Sequence, residues 1–270
     1  MSSLLALPRM YATLGRQAIA TNFQYRLNNA LFLVGMVAEP VVYLVVWSSI
    51  ARREGGSLEG YTPGMFAAYY IVWTLVRSMN ITFTPFGWEE RIREGTLSAH
   101  LLRPVHPVHY DIGWFAGWKI VTIVLWLPIA AGLALIFRPD LSPSVAQVVA
   151  FCIAIWGAFL IRTVLLWMLG LITFWTTRVN ALFEAFFAAE LIMSGRLVPL
   201  RLMPDWVTTV GHWLPFESCF GFPITALVGP VTDRELVEGL ARQVAWIVVG
   251  FVGLRLFWRR AARHYSAVNG

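Results

Sequence analysis

Apolar runs long enough to cross a bilayer recur along almost the whole chain, and this recurrence limits the fold more than any other feature. A helix crossing the hydrocarbon layer needs roughly 20 mostly apolar residues. Such runs cover residues 30–50, 64–85, 111–137, 144–176, 180–199 and 241–259. They predict an all-α, polytopic membrane protein with about six transmembrane helices, since a helix satisfies its backbone polar groups internally where no water can. The fourth run exceeds one crossing, so it is expected to tilt or protrude. Composition agrees: 58% of the 270 residues are hydrophobic and 13% charged, against roughly 25% charged in a soluble domain. A chain this short has too much surface for a large core to explain that deficit. Surface turned toward lipid does explain it, and the 13 Trp and 18 Phe fit interfacial belts.

The rest of the chain is arranged around these runs as one membrane domain over residues 1–270. Residues 8–28 read as a helix lying on the membrane, with Tyr11, Leu14, Ala18 and Tyr25 on one side and Arg9 and Arg16 opposite. Leu4 to Leu7 is too short for the core of a signal peptide, so the first span is expected to remain. Before the last span, the apolar stretch Leu214 to Val228 is interrupted by Pro215, Gly221 and Pro223, and carries Glu217. Residues 203–229 are therefore expected to form a re-entrant or extracellular hairpin buried against protein. Cys152 and Cys219 lie in different settings and predict no disulfide.

The net charge of +6 comes from 20 Arg and one Lys scattered at the ends of apolar runs. That placement points to orientation in a bilayer and away from nucleic acid. With both termini in the cytoplasm, the inner segments carry 12 basic residues and the outer ones seven, counting Lys119 inside and Arg196 and Arg242 outside. A plasma-membrane protein with N-in, C-in topology follows.

The most charged segment, residues 86–107, joins the second and third runs. Thr84-Pro85 reads as an N-cap with a first helical position, and Gly95 as a stop. Glu89 and Arg93 stand four apart in the favourable order. Leu97, Leu101 and Leu102 then give a second short helix an apolar face that Pro104 ends. Two readings stay open: a solvated loop that happens to fold, or a docking element with charged rim and apolar anchors.

The stretch Arg91-Ile-Arg-Glu-Gly-Thr-Leu-Ser-Ala-His-Leu-Leu-Arg-Pro-Val-His-Pro resembles the segment after the second span of ABC-2 type permeases. It is closest to the branch often encoded as a pair of permeases beside one ATPase, and Gly95, Leu97, Leu102, Arg103, Pro104 and Pro107 carry the match. The layout of interfacial helix, six spans and broken hairpin fits along essentially the full chain. The resemblance implies an exporter subunit that pairs with a second permease, identical or homologous, among membrane lipids. It implies cytoplasmic ATPase subunits that bind ATP and Mg, and a coupling loop comprising Glu89, Glu90, Arg91, Arg93, Glu94, Gly95, Leu97, Leu101, Leu102, Arg103 and Pro104. The chain itself binds no cofactor on this reading. A P-loop requires Gly-Lys-Ser/Thr, whereas the only lysine, Lys119, lies between Trp118 and Ile120.

Glu39, Arg77, Arg162 and Glu190 fall near the middle of predicted spans. Each costs roughly 2.5–3.5 kcal/mol at a helix centre, so each needs a partner or a wet cavity. Mutual pairing and a place on a translocation path both remain open. Pro40 removes a helical hydrogen bond after Glu39 and is expected to kink the first span. His106, His109 and Asp111 match no strong zinc spacing and read as a polar loop. Gly113 and Gly117 form a small-xxx-small pair suited to close helix packing. A membrane enzyme acting on a lipid-linked substrate and a secondary transporter are the alternatives. The first needs acid and base groups converging at one membrane face; the second often shows inverted repeats.

Overall fold

The computed structural model describes residues 6–82, 87–88, 90–91, 94–97, 105–175 and 179–263. Regular structure among them is helical: α1 Ala6–Gln24, α2 Arg26–Gly35, α3 Ala38–Arg53, α4 Pro63–Met79, α5 Val108–Phe137, α6 Val145–Leu171, α7 Val179–Met193, α8 Asp205–Trp213, α9 Pro215–Cys219, α10 Gly221–Val228 and α11 Asp233–Ala261. The protein is an all-α polytopic membrane protein.

Side chains able to serve orphan N–H groups set where the long helices begin. Thr62 accepts a hydrogen bond from Met65 N at 3.1 Å, and Pro63 takes the first helical position of α4. Ser144 with Gln147 and Thr232 with Glu235 form reciprocal capping boxes at the starts of α6 and α11. The second box explains why α11 starts at Asp233, eight residues before the predicted span at 241. Apolarity begins late in this helix, but its hydrogen bonding begins at the cap.

Among the described residues, four helical segments have the length and composition to cross a membrane: Arg26–Arg53, Val108–Phe137, Val145–Phe174 and Asp233–Ala261. The other two predicted spans are shorter than expected. α4 has 17 residues and α7 has 15, which at ~1.5 Å per residue is about 25 and 22 Å. α4 was expected to run to residue 85, yet Asn80 already caps it. α7 was expected to run to residue 199, yet it gives way after Met193 to an irregular segment. In the first segment the helix is interrupted at Met36 and Val37, between α2 and α3. Pro40 can donate nothing to the Met36 carbonyl, and the break falls at that point.

α4 sits at the centre of the bundle, with 13 of its 17 residues buried. Phe66, Tyr69, Tyr70, Trp73, Val76 and Met79 pack with Leu44 and Ala51 of α3, Phe151 and Ile155 of α6, Phe220, and Ile224 of α10. α6 pairs along its length with α11, and α1 lies along α5. The α1–α5 contact depends on the small residues noted above: a Cβ on Gly117 would lie 2.5 Å from Gly15 O, and one on Gly113 would lie 3.0 Å from Leu14 Cδ1. Tyr11, Leu14 and buried Ala18 therefore face α5, while Tyr25 is 58% exposed beside the α1–α2 junction. The second half of α5 differs, with Leu127, Leu135 and Ile136 exposed as lipid-facing residues would be.

Between α7 and α11 the predicted broken hairpin appears as three short helices. α9 and α10 pack on α6, and α10 also packs on α4. Pro215 opens α9, and Pro223 lies in the first turn of α10, where its missing N–H costs nothing. Gly221 donates to Ser194 O at 2.7 Å, an approach a Cβ would block at the same distance.

Candidate functional site

The polar and charged residues form two connected groups: one where the loop after α4 meets the bundle, the other around the buried end of α4. In the first, Asp111 lies one turn into α5 and is 5% exposed. It accepts from Arg91 Nη1 and Nη2 at 3.0 and 2.5 Å and from Trp167 Nε1 of α6 at 2.9 Å. A fork of this kind fixes geometry as well as charge. Trp88 and Leu97, both fully buried, sit in the same apolar cluster with Ile112, Trp167 and Leu171. The Trp88 ring packs edge-on against Trp167 at 4.7 Å, against Gly170, where any Cβ would collide with it.

This arrangement turns part of the loop inward. Leu97, expected on the apolar face of a docking helix, is buried against the chain's own helices, and Arg91 is tied to α5. Glu90 and Glu94 remain exposed. Gly95 has φ +67°, which favours glycine, and Glu94 N donates to Glu90 O at 2.8 Å. Glu89, Arg93, Leu101, Leu102, Arg103, Pro104 and the Thr84-Pro85 cap lie outside the described residues.

His106 belongs to the same corner. Its Nδ1 accepts from Val108 N at 3.2 Å, and its ring lies 4.6 Å from that of Trp258. Burial, with His109 nearby, pushes its imidazole down to about 4, so it is neutral at physiological pH. His109 meets the Tyr11 hydroxyl at 2.7 Å. Among the described residues no group of three or more His, Cys, Asp or Glu is placed to hold a metal.

The second group surrounds the C-terminus of α4, where carbonyls are left without intrahelical donors inside the protein. Lys119 of α5, fully buried, donates to Ser78 O at 2.9 Å and also to Ile81 O. Arg162 of α6 donates to Asn80 O, and Asn80 Nδ2 donates to Cys219 O at 2.6 Å. Two cations thus complement the negative end of a helix dipole. Counted from sequence as a cytoplasmic boundary charge, Lys119 instead sits about three turns into α5 as an internal cap.

Arg162 also forms a two-pronged ion pair with Glu190 of α7, at 2.8 and 3.1 Å, with Glu190 fully buried. Glu39, at the start of α3, meets Arg77 of α4 at 2.7 Å. The four intramembrane charges are thus brought together as two acid–base pairs. A fifth residue joins them: Arg196 Nη2 lies 3.5 Å from Glu39 Oε1. The sequence count placed Arg196 outside, near the far end of the predicted 180–199 run. The signal that could have drawn it in is its position directly after Ser194-Gly195, where a helix stop turns the chain back.

In the hairpin, Glu217 accepts from Arg242 Nη1 of α11 at 2.7 Å and contacts His212 Nδ1 at 2.6 Å. These groups border a mixed polar cavity of about 520 Å³ that also includes Tyr61, Arg201 and Glu235.

Residues 37–268 match the family described as ABC-2 family transporter protein. No curated protein matches the chain.

Proposed function

The chain belongs to the ABC-2 transporter family, and from that premise we propose that it is the permease subunit of an ATP-driven exporter whose ATPase is a separate cytoplasmic protein. The family makes it a membrane transport subunit without its own catalytic site. On our reading, six helices cross the plasma membrane with both termini inside, and two permease chains assemble with the ATPase subunits. ATP and Mg act in those subunits, and the cargo is amphiphilic or hydrophobic.

One observation supports the coupling part of this reading: Arg91 of the loop, Asp111 of α5 and Trp167 of α6 are directly bonded. Further along the same two helices, Lys119 and Arg162 hold the end of α4. Asp111 and Lys119 are eight residues apart, about 12 Å of helix. A push on residues 87–97 would therefore reach the centre of the bundle through stiff elements rather than through a slack linker.

Reversing the exposed acids with Glu90→Lys and Glu94→Lys is expected to reduce copurification with the partner ATPase several-fold while the permease still inserts. Undiminished copurification would remove the docking role of this loop. A membrane enzyme gains no observation, because the described charges form ion pairs beside α4 rather than an acid and a base converging on one reacting position.

A further inference from the structure

Three arginines and two glutamates meet beside α4, and the imbalance lines an open cleft. Arg77, Arg162 and Arg196 border a cavity of about 360 Å³ together with Phe32 and Phe187. Glu190 gives both oxygens to Arg162, whose third nitrogen donates to Asn80 O. That leaves Glu39 to serve both Arg77 and Arg196, and its contact with Arg196 is the longer at 3.5 Å. Arg196 Nε is buried without a hydrogen-bond partner. Lys119 adds no acid to the balance, and its ammonium is taken up by α4 carbonyls.

The position of Arg196 is built rather than incidental. Its segment is pinned to α4 by Tyr69, which donates to Gly195 O at 2.6 Å, and by Tyr70, which donates to Leu197 O at 2.8 Å. Gly221 N holds Ser194 O from the hairpin. The Arg196 guanidinium lies 5.6 Å from the Trp73 ring and 5.9 Å from the Phe220 ring. Those rings also carry Arg77 and Arg162 respectively, so the three cations are spaced by shared aromatic faces. A guanidinium held only by one long, shared ion pair is costly away from bulk water, and its planar fork is well shaped for a phosphate or carboxylate.

We propose that this cleft takes the anionic group, phosphate or carboxylate, of an amphiphile whose apolar body lies against Phe32, Phe187 and the neighbouring lipid-facing surface. The inference rests on the permease reading for its meaning as cargo selection, but not for the binding itself. The volume suits a headgroup and not a whole lipid.

The test is equilibrium binding to the purified full-length chain in neutral detergent, followed by native mass spectrometry. The probes are dioleoyl phosphatidic acid, dioleoyl phosphatidylcholine and inorganic phosphate. Phosphatidic acid is expected to bind in preference to phosphatidylcholine. Arg196→Gln should weaken it roughly tenfold or more, as loss of a charge-assisted contact does. Arg201→Gln, an exposed arginine outside the cleft, should leave it unchanged. Glu39→Gln should change binding in the opposite direction, tightening it several-fold by removing the competing acid, and it serves if Arg196→Gln does not accumulate. Equal binding of phosphatidylcholine, or phosphatidic acid binding indifferent to both cleft variants, overturns the proposal. Inorganic phosphate binding as tightly as the lipid overturns the amphiphile part and leaves a site for free anions. Because no ATP or partner enters this measurement, its failure is distinguishable from failure of the permease reading, which loss of ATPase copurification reports.

Discussion

Arg162 and Arg77 each meet a glutamate inside the bundle, yet the two pairs are built differently. Glu190 is fully buried and gives both oxygens to one arginine, whose third nitrogen donates to the carbonyl of Asn80, the cap of α4. Glu39 is 35% exposed and divides its charge between two arginines, one of which keeps an unpartnered nitrogen. The first arrangement is complete and can only lose by change. The second is incomplete and open to a visitor. The same chemistry around one cleft therefore serves structure in the first pair and recognition in the second.

The sharpest way to break this contrast is to remove one member of the closed pair. Glu190→Gln or Arg162→Met should destabilise the protein by about 3–5 kcal/mol, because each leaves a buried charge uncompensated. Melting of the purified protein and its yield report this. Replacing both residues with methionine should recover much of the loss. Single variants that melt like the parent would show the pair to be dispensable.

Asp111→Asn extends the comparison to the loop. Its acceptor serves Arg91 and Trp167 together, so an effect of about 1–3 kcal/mol is expected. Hydrogen exchange should rise first at residues 87–97, while the α4 core stays protected. Exchange that rises everywhere at once would argue against a local anchor.

Glu39→Gln should cost only about 1 kcal/mol, since the group is partly exposed and already shared. A loss equal to that of Glu190→Gln would erase the distinction drawn here.

The smallest effect is expected at the hairpin, where Glu217 also serves two cations, Arg242 and His212. The hydrogen bond to Glu217 raises the His212 pKa above its ordinary value, against the opposing pull of burial and Arg242. The resulting stabilisation is present below about pH 6.5 and fades as pH rises through the raised value. With His212 54% exposed, solvent screening holds it under about 1 kcal/mol. The melting temperature should fall slightly between pH 6 and 8, and His212→Gln should flatten that slope.

Much of the architecture could be read from the sequence, for a plain reason. Long apolar runs encode membrane helices directly, and the Arg91 to Pro107 stretch carries the family resemblance. Gly95, read as a helix stop, takes the left-handed conformation that such a stop uses. What the sequence withheld was mainly neighbourhood. Apolar periodicity gives the depth of Arg162 and Glu190 but not that α6 and α7 bring them face to face. Hydropathy places charges along a span but not what they touch, so Arg196 and Lys119 were counted only as charges near the ends of the 180–199 and 111–137 runs, although tyrosines of α4 hold the carbonyls on either side of the first and the second caps that helix. The docking face assigned to Leu97 is the same kind of case. An apolar residue in a charged loop can anchor outward or inward, and only the positions of Trp88 and Trp167 decide it.

The clasp on the last carbonyls of α4 carries a mechanical consequence. A helix gripped there by an ammonium from one neighbour and a guanidinium from another cannot slide along either without losing both grips at once. At that end α4 is therefore tied to both α5 and α6. The helix break at Met36 and Val37 lies just ahead of Glu39. The shared carboxylate thus hangs from a helix that begins at a break, whereas Arg77 hangs from the clasped one.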